Sequence, residues 1–252
     1  MRQLPRESTL EHHVEAGSVT SRMIGTLADR LAAFHDRADR GDHIDALGSV
    51  ESVSSNAREN FEQIQPFVGR AARAEFYETM WNAVETFLSG RGGLFQRRID
   101  EGRIRDGHGD LRLDHVYFED GLQVIDCIEF NERFRYGDVA VDLAFLLTEL
   151  DYRHAGDLGH ELARRYARSA ADPGLFALLH YYKNYRALVR TKVECLRLDG
   201  GDDPEARDRA ERYLELAHRY ARVFSRPTLW VVCGPVASGK STVSYTHLTL
   251  PT

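Results

Sequence analysis

Three short segments decide the fold: His108-Gly109-Asp110-Leu111, Ile125-Asp126 and Val141-Asp142-Leu143-Ala144. Between the first two lie the β-type runs Val116-Tyr117-Phe118 and Leu122 to Ile125, separated by the turn signal Glu119-Asp120-Gly121. The spacing predicts a small hairpin with a carboxylate in the tight loop before its first strand and another just after its second. Asp110 and Asp126 then converge on one point. Phosphoryl transfer needs such a pair, one carboxylate to orient an attacking hydroxyl and the other to hold Mg2+ on the phosphates. Asp142 opens an apolar helix, where it is suited to brace the loop through backbone N–H groups or to cap its own helix.

Outward from this centre the periodicity is helical. Met23, Ile24, Leu27, Leu31 and Phe34 make one apolar face after a Thr20 N-cap, and Phe76, Met80, Val84, Phe87 and Leu88 make a second that stops at Gly90. The polar stretch 39–55 between them reads as a loop. Beyond the hairpin, helices are expected over 139–150, 158–169, 175–198 and 204–224, broken at Pro173-Gly174 and Asp199-Gly200-Gly201-Asp202. The expected class is α+β, mainly α.

His108-Gly109-Asp110-Leu111, then Asp126, then Asp142-Leu143-Ala144, in this order and spacing, resembles the aminoglycoside phosphotransferase (protein-kinase-like) family. It is most similar to the branch in which such a domain precedes a P-loop ATPase domain, and Tyr185-Arg186-Ala187-Leu188-Val189-Arg190 fits that branch. The resemblance covers residues 1–225 and implies a helical kinase-like C-lobe that transfers phosphate from ATP, with Mg2+, to a small-molecule hydroxyl. It assigns Asp110 as catalytic base, His108 as a support of the loop, Asp126 as metal ligand and Asp142 as structural brace. The family usually places Asn, a second metal ligand, five residues after the catalytic Asp. Here His115 stands there, and imidazole is a poorer partner than oxygen for Mg2+. Either Asp114 substitutes, the second metal is weak, or the site has decayed.

Both ends depart from a complete domain of this kind. No Gly-rich turn and no Lys-bearing strand precede Thr20, the first Lys is Lys183, and residues 1–5 resemble the strand joining two kinase lobes. At the other end the apolar run Thr228 to Cys233 leads into Gly234-Pro235-Val236-Ala237-Ser238-Gly239-Lys240-Ser241-Thr242. This P-loop signature has backbone N–H groups to cradle phosphates, Lys240 to reach the terminal ones and Ser241 to ligate Mg2+. Residues 226–242 read as the start of an ATPase domain. Residues 243–252 match one reading frame of a transposase adapter used in sequencing libraries and read as a scar. A chain cut in this way is expected to have little or no transferase activity. Two other readings of the parent remain: a non-catalytic kinase-like binding module, and a P-loop kinase or ATPase with residues 1–225 as its regulatory part.

Other residues leave alternatives open. His35 suits a surface or helix-capping role better than a functional one. Arg186, Arg190 and Lys192 suit either an anionic substrate or a solvated, ion-paired face. Glu129 and Asn131 follow Asp126 closely enough to line the site, and Cys127 reads as a small core residue.

Composition excludes several classes. A net charge of −6, from 33 Lys+Arg against 39 Asp+Glu, argues against nucleic acid as a partner. No apolar run is long enough to span a membrane, and the first residues carry no export signal. Three scattered cysteines (Cys127, Cys195, Cys233) read as reduced thiols, so a cytoplasmic location is expected.

Overall fold

The computed structural model describes residues 4–201, 203–226 and 235. The amino-terminal part is helical: α1 (Leu10–Glu15), α2 (Ser21–Arg37), a turn α3 (Asp42–Asp45), α4 (Val50–Ile64), α5 (Ala74–Gly90) and α6 (Gly92–Asp100). Four short strands follow, β1 (Ile104–Asp106), β2 (Val116–Phe118), β3 (Leu122–Val124) and β4 (Tyr136–Asp138), with the turn α7 (Glu132–Arg135) before the last. The chain then returns to helices α8 (Val139–Tyr152), α9 (Gly156–Ser169), α10 (Leu175–Arg197) and α11 (Pro204–Phe224). The class is α+β and mainly α, as expected, with the small hairpin β2–β3 directly after the loop at 108–111.

Helix boundaries follow their caps. The Thr20 side chain accepts from the N–H of Met23, Asp138 from that of Ala140 at the start of α8, and Asp203 from those of Glu205 and Ala206 before Pro204. Asp138, not Asp142, is therefore the N-cap of α8. The segment expected to be a loop at 39–55 is instead largely helical. The Ser49 side chain accepts from Ser52 N–H, and the buried stripe Val53, Ala57, Phe61 and Ile64 runs on past residue 55. Only its first member lay in the polar window, so the periodicity was hidden there.

The strands form two antiparallel ribbons. β2 pairs with β3 so that Val116 faces Val124, and β1 pairs with β4 so that Ile104 faces Asp138. The second ribbon, three residues a side, has too little alternation to be legible. It ties the chain before the loop at 107–110 to the residue that caps α8.

α8 is the axis of the core. Apart from half-buried Val141, every residue from Val139 to Leu150 is buried, including Asp142, Thr148 and Glu149. α10 packs on α8 and α11, while α2 packs on α9. A charge also sits inside. The Arg98 guanidinium, 2% exposed, forks onto Asp138 at 2.8 Å and onto Asp172 at 2.5 Å. Burial opposes that charge, but the two carboxylates outweigh it and raise the pKa above the usual arginine value. This pairing fixes β4 against the turn between α9 and α10.

Cys195 is buried, but Cys127 is exposed and is not a core residue. It follows Asp126, whose φ of 65° turns the chain outward at the end of the hairpin. Cys233 lies outside the described residues.

Candidate active site

The loop from Gly107 to Asp110 is held from below by one carboxylate. Asp142 accepts from His108 N–H through Oδ2 at 2.7 Å and from Gly109 N–H through Oδ1 at 2.9 Å. Gly109 has φ +80°, and a Cβ there would come within 2.7 Å of the Phe134 carbonyl oxygen. Only glycine passes through that gap without displacing backbone. Asp142 also faces His35 Nε2 at 3.3 Å, while His35 Nδ1 lies 2.7 Å from the Tyr166 hydroxyl. His35 is thus an interior residue, 3% exposed, and not the surface or capping histidine expected. It belongs to the inner stripe of α2, where both ring nitrogens find partners. Burial pushes the Asp142 pKa up. The His35 hydrogen bond and charge, the Arg186 charge and the His108 N–H more than offset this and leave it at about 2.

His108 reaches across the loop. Its Nε2 lies 2.9 Å from the Ile125 carbonyl, which can only accept, and Asp110 N–H donates to its Nδ1 at 3.3 Å. These partners fix the neutral Nε2–H tautomer. Burial, the largest influence, also lowers its pKa. One ring therefore joins the end of the hairpin to the loop before it.

Asp110 and Asp126 are brought to the same side of the hairpin, with His115 between them. His115 Nδ1 donates to the Asp110 carbonyl at 2.8 Å and lies 3.7 Å from Asp110 Oδ2. Its Nε2 is 3.4 Å from Asp126 Oδ2. Asp126 adopts φ 65°, a left-handed conformation that Asp tolerates better than most residues, and its side chain is 74% exposed. Asp114 is drawn to Arg112, with Oδ1 4.0 Å from His115 Nε2.

The donor set suits a cation carried in on another molecule. The His115 Nε2 faces the Asp126 carboxylate, with Asp114 on the same side of the ring. Among the described residues no three His, Cys, Asp or Glu side chains surround a common metal position. Asp126 with His115 would thus supply one or two ligands, and phosphate oxygens and water the rest, the usual arrangement for Mg2+.

Beside Asp110 opens a cavity of about 370 Å3. Its walls come from α4, α7, α8 and α10 and include Asn60, Arg133, Phe145, Tyr185, Arg186 and Lys192. The α4 contribution was missed, because the helix was not anticipated. Its signal was the polar set Asn56, Glu59 and Asn60, three and four residues apart. Of the three basic residues on α10, Arg186 and Lys192 line the cavity. Arg190 turns away to Glu149 at 3.7 Å and Glu194 at 3.6 Å. Asn131 caps α7 by accepting from Arg133 N–H, Glu129 is exposed, and neither lines the cavity. The P-loop residues Gly234, Ser238, Gly239, Lys240, Ser241 and Thr242 lie outside the described residues. Among the described residues no helix is long and apolar enough to cross a membrane.

No family model matches the chain. It is 35% identical over 245 residues, 97% of its length, to proteins of Mycobacterium bovis and Mycobacterium tuberculosis described only as uncharacterized. The match takes in 49% of those proteins, so the chain spans about half the length of the curated relatives it matches. Among solved structures, a Plasmodium vivax ethanolamine kinase is similar at 12% identity and a TM-score of 0.46, over 86% of this chain and 62% of that one.

Proposed function

We propose that the chain is part of a kinase-like phosphotransferase that moves phosphate from ATP to a hydroxyl of a small molecule. One observation carries this reading: Asp110 stands at a cavity large enough for such an acceptor, with Asp126 nearby across His115. Asp110 would accept the hydroxyl proton as the oxygen bonds to the terminal phosphorus and ADP departs. Asp142 and His108 would hold the loop so that this carboxylate need not reorganise. Asp126 would hold Mg2+, which when bound neutralises charge on the phosphates. Residues 234–241 would cradle the phosphates of a second nucleotide in the longer protein.

The test uses the full reading frame and the 252-residue chain side by side. Calorimetry is expected to show Mg·ATP binding to the full protein that is lost in Asp126→Ala, with little binding to the short chain. Acceptor-dependent ADP release should vanish in Asp110→Asn. ADP release that survives both substitutions but disappears in Lys240→Ala would move the chemistry to the P-loop. His115 favours a second reading, a domain that binds without transferring, because imidazole stands where an oxygen ligand serves Mg2+ best. Under that reading turnover emerges only in His115→Asn.

A further inference from the structure

We infer that the molecule occupying the cavity beside Asp110 carries an anionic group, phosphate or carboxylate, bound by Arg186 and Lys192. The inference rests on the phosphotransferase reading only in calling that molecule the acceptor.

Four basic and four acidic side chains line the cavity, and most of them are paired away from Arg186 and Lys192. Arg133 is spent on Glu59 and on Asn56 Oδ1. Arg135 is spent on Asp106, and Asp138 on Arg98. Asp142 already accepts from two backbone N–H groups and faces His35. Arg186 is 6% exposed and lies over the Phe145 ring, 4.7 Å from its centroid. Among the described residues its one hydrogen bond goes from Nε to the Val141 carbonyl at 3.3 Å, and its nearest carboxylate oxygen, on Asp142, is 4.0 Å away. Most of its five N–H donors therefore lack a protein acceptor.

Lys192 repeats the pattern six residues along the same helix. Its ammonium donates to Asn60 Oδ1 at 2.7 Å and feels the charge of Glu59, which Arg133 engages directly. Asn60 is 2% exposed, and its amide lies by the Tyr185 hydroxyl as well as the Lys192 ammonium. An oxyanion seated there gives both cations an acceptor, and Arg186 can engage it with more than one N–H. The aromatic walls, Phe145 and Tyr185, exclude water and strengthen the attraction. A cationic acceptor would meet repulsion from both side chains.

Inorganic phosphate is the first probe, used at constant ionic strength in the Lys240→Ala chain so that the P-loop cannot contribute. The melting temperature is expected to rise saturably with phosphate. Calorimetry should show affinity lowered about tenfold or more by Lys192→Met and by Arg186→Gln. Far-UV circular dichroism checks that each variant is folded, and Lys192→Arg, which keeps the charge, should restore most of the affinity. The second arm compares glucose 6-phosphate and gluconate with glucose and glucosamine. At least one of the anions should bind more tightly than the neutral and cationic sugars. The inference is overturned if phosphate does not bind, if it binds equally well to Lys192→Met, or if glucosamine binds best. Asp110→Asn separates the two claims, because it should abolish transfer and leave phosphate affinity intact or higher. Anion binding without any transfer in the full protein would overturn the enzymatic reading alone. Transfer without anion binding would overturn the charge class alone.

Discussion

Nε2 of His115 lies 3.4 Å from Oδ2 of Asp126, while Nδ1 of the same ring is engaged by the Asp110 carbonyl. Under the proposed phosphotransferase reading this nitrogen and this carboxylate would share the metal ion brought in with the nucleotide. A nitrogen donor raises affinity for Mn2+ more than for Mg2+. The ratio of Mn2+ to Mg2+ affinity, read by calorimetry or by Mn2+ paramagnetic resonance, is expected to fall several-fold in His115→Asn. An unchanged ratio would remove His115 from the metal site.

Asp142→Asn keeps the shape and loses the function of the brace. A carboxamide accepts through one atom only and turns an NH2 toward a second N–H donor, His108 or Gly109. Stability should drop by about 2–3 kcal/mol, measured by denaturant unfolding. The wild-type carboxylate titrates near 2 in the folded chain and near 3.8 when unfolded. Its contribution, about 2 kcal/mol from the size of the shift, is complete above pH 3.8 and is lost as pH falls toward 2. The variant should lack this acid-limb slope.

His180 sets a second acid limb at higher pH. Burial, reinforced by the Lys183 charge, lowers its pKa from 6.5 to about 4, and its Nδ1 has no hydrogen-bond partner. Between those values the unfolded chain binds a proton that the folded chain refuses. Stability should therefore decline as pH falls from 6.5 to 4, by up to about 3 kcal/mol. His180→Phe should flatten the melting-temperature profile over that range, and an unaltered profile would show that the ring is readily solvated.

Gly109→Ala tests the gap beneath Phe134. The added Cβ meets a backbone oxygen at 2.7 Å in a left-handed conformation. A loss of about 1–3 kcal/mol is expected in chemical denaturation. Gly121→Ala, also at positive φ but with no heavy atom nearby, should cost only the conformational part.

What was legible in the sequence was whatever depended on local periodicity. The faces of α2, α5 and α8 to α11 repeat cleanly, and Glu119-Asp120-Gly121 marks the hairpin turn. α4 was lost because its apolar stripe begins with one valine inside a polar stretch. The β1–β4 ribbon was lost because three residues cannot display alternation. In the site, the motif pointed to Asp110, Asp126 and Asp142. The role of His35 and the division of labour among Arg186, Arg190 and Lys192 were not legible, since they depend on which helix each side chain meets. Spacing along α10 groups the three cations together, whereas packing sends Arg190 to Glu149 and Glu194 and leaves Arg186 and Lys192 facing the cavity.

The hydrogen bonds of Asp142 have a consequence for the order of folding. Its partners lie 107 residues before it, at His35, and 34 and 33 residues before it, at His108 and Gly109. Arg186 closes on the neighbouring Val141 carbonyl from 45 residues further on. None of these contacts forms within a single helix or hairpin, so the loop bearing Asp110 depends on distant elements as well as on its local bonds to His108 and His115. Full ordering of the loop therefore requires α2, α8 and α10 to be docked. A chain arrested before that docking would hold nearly full helix content and no organised loop, and would look folded to circular dichroism.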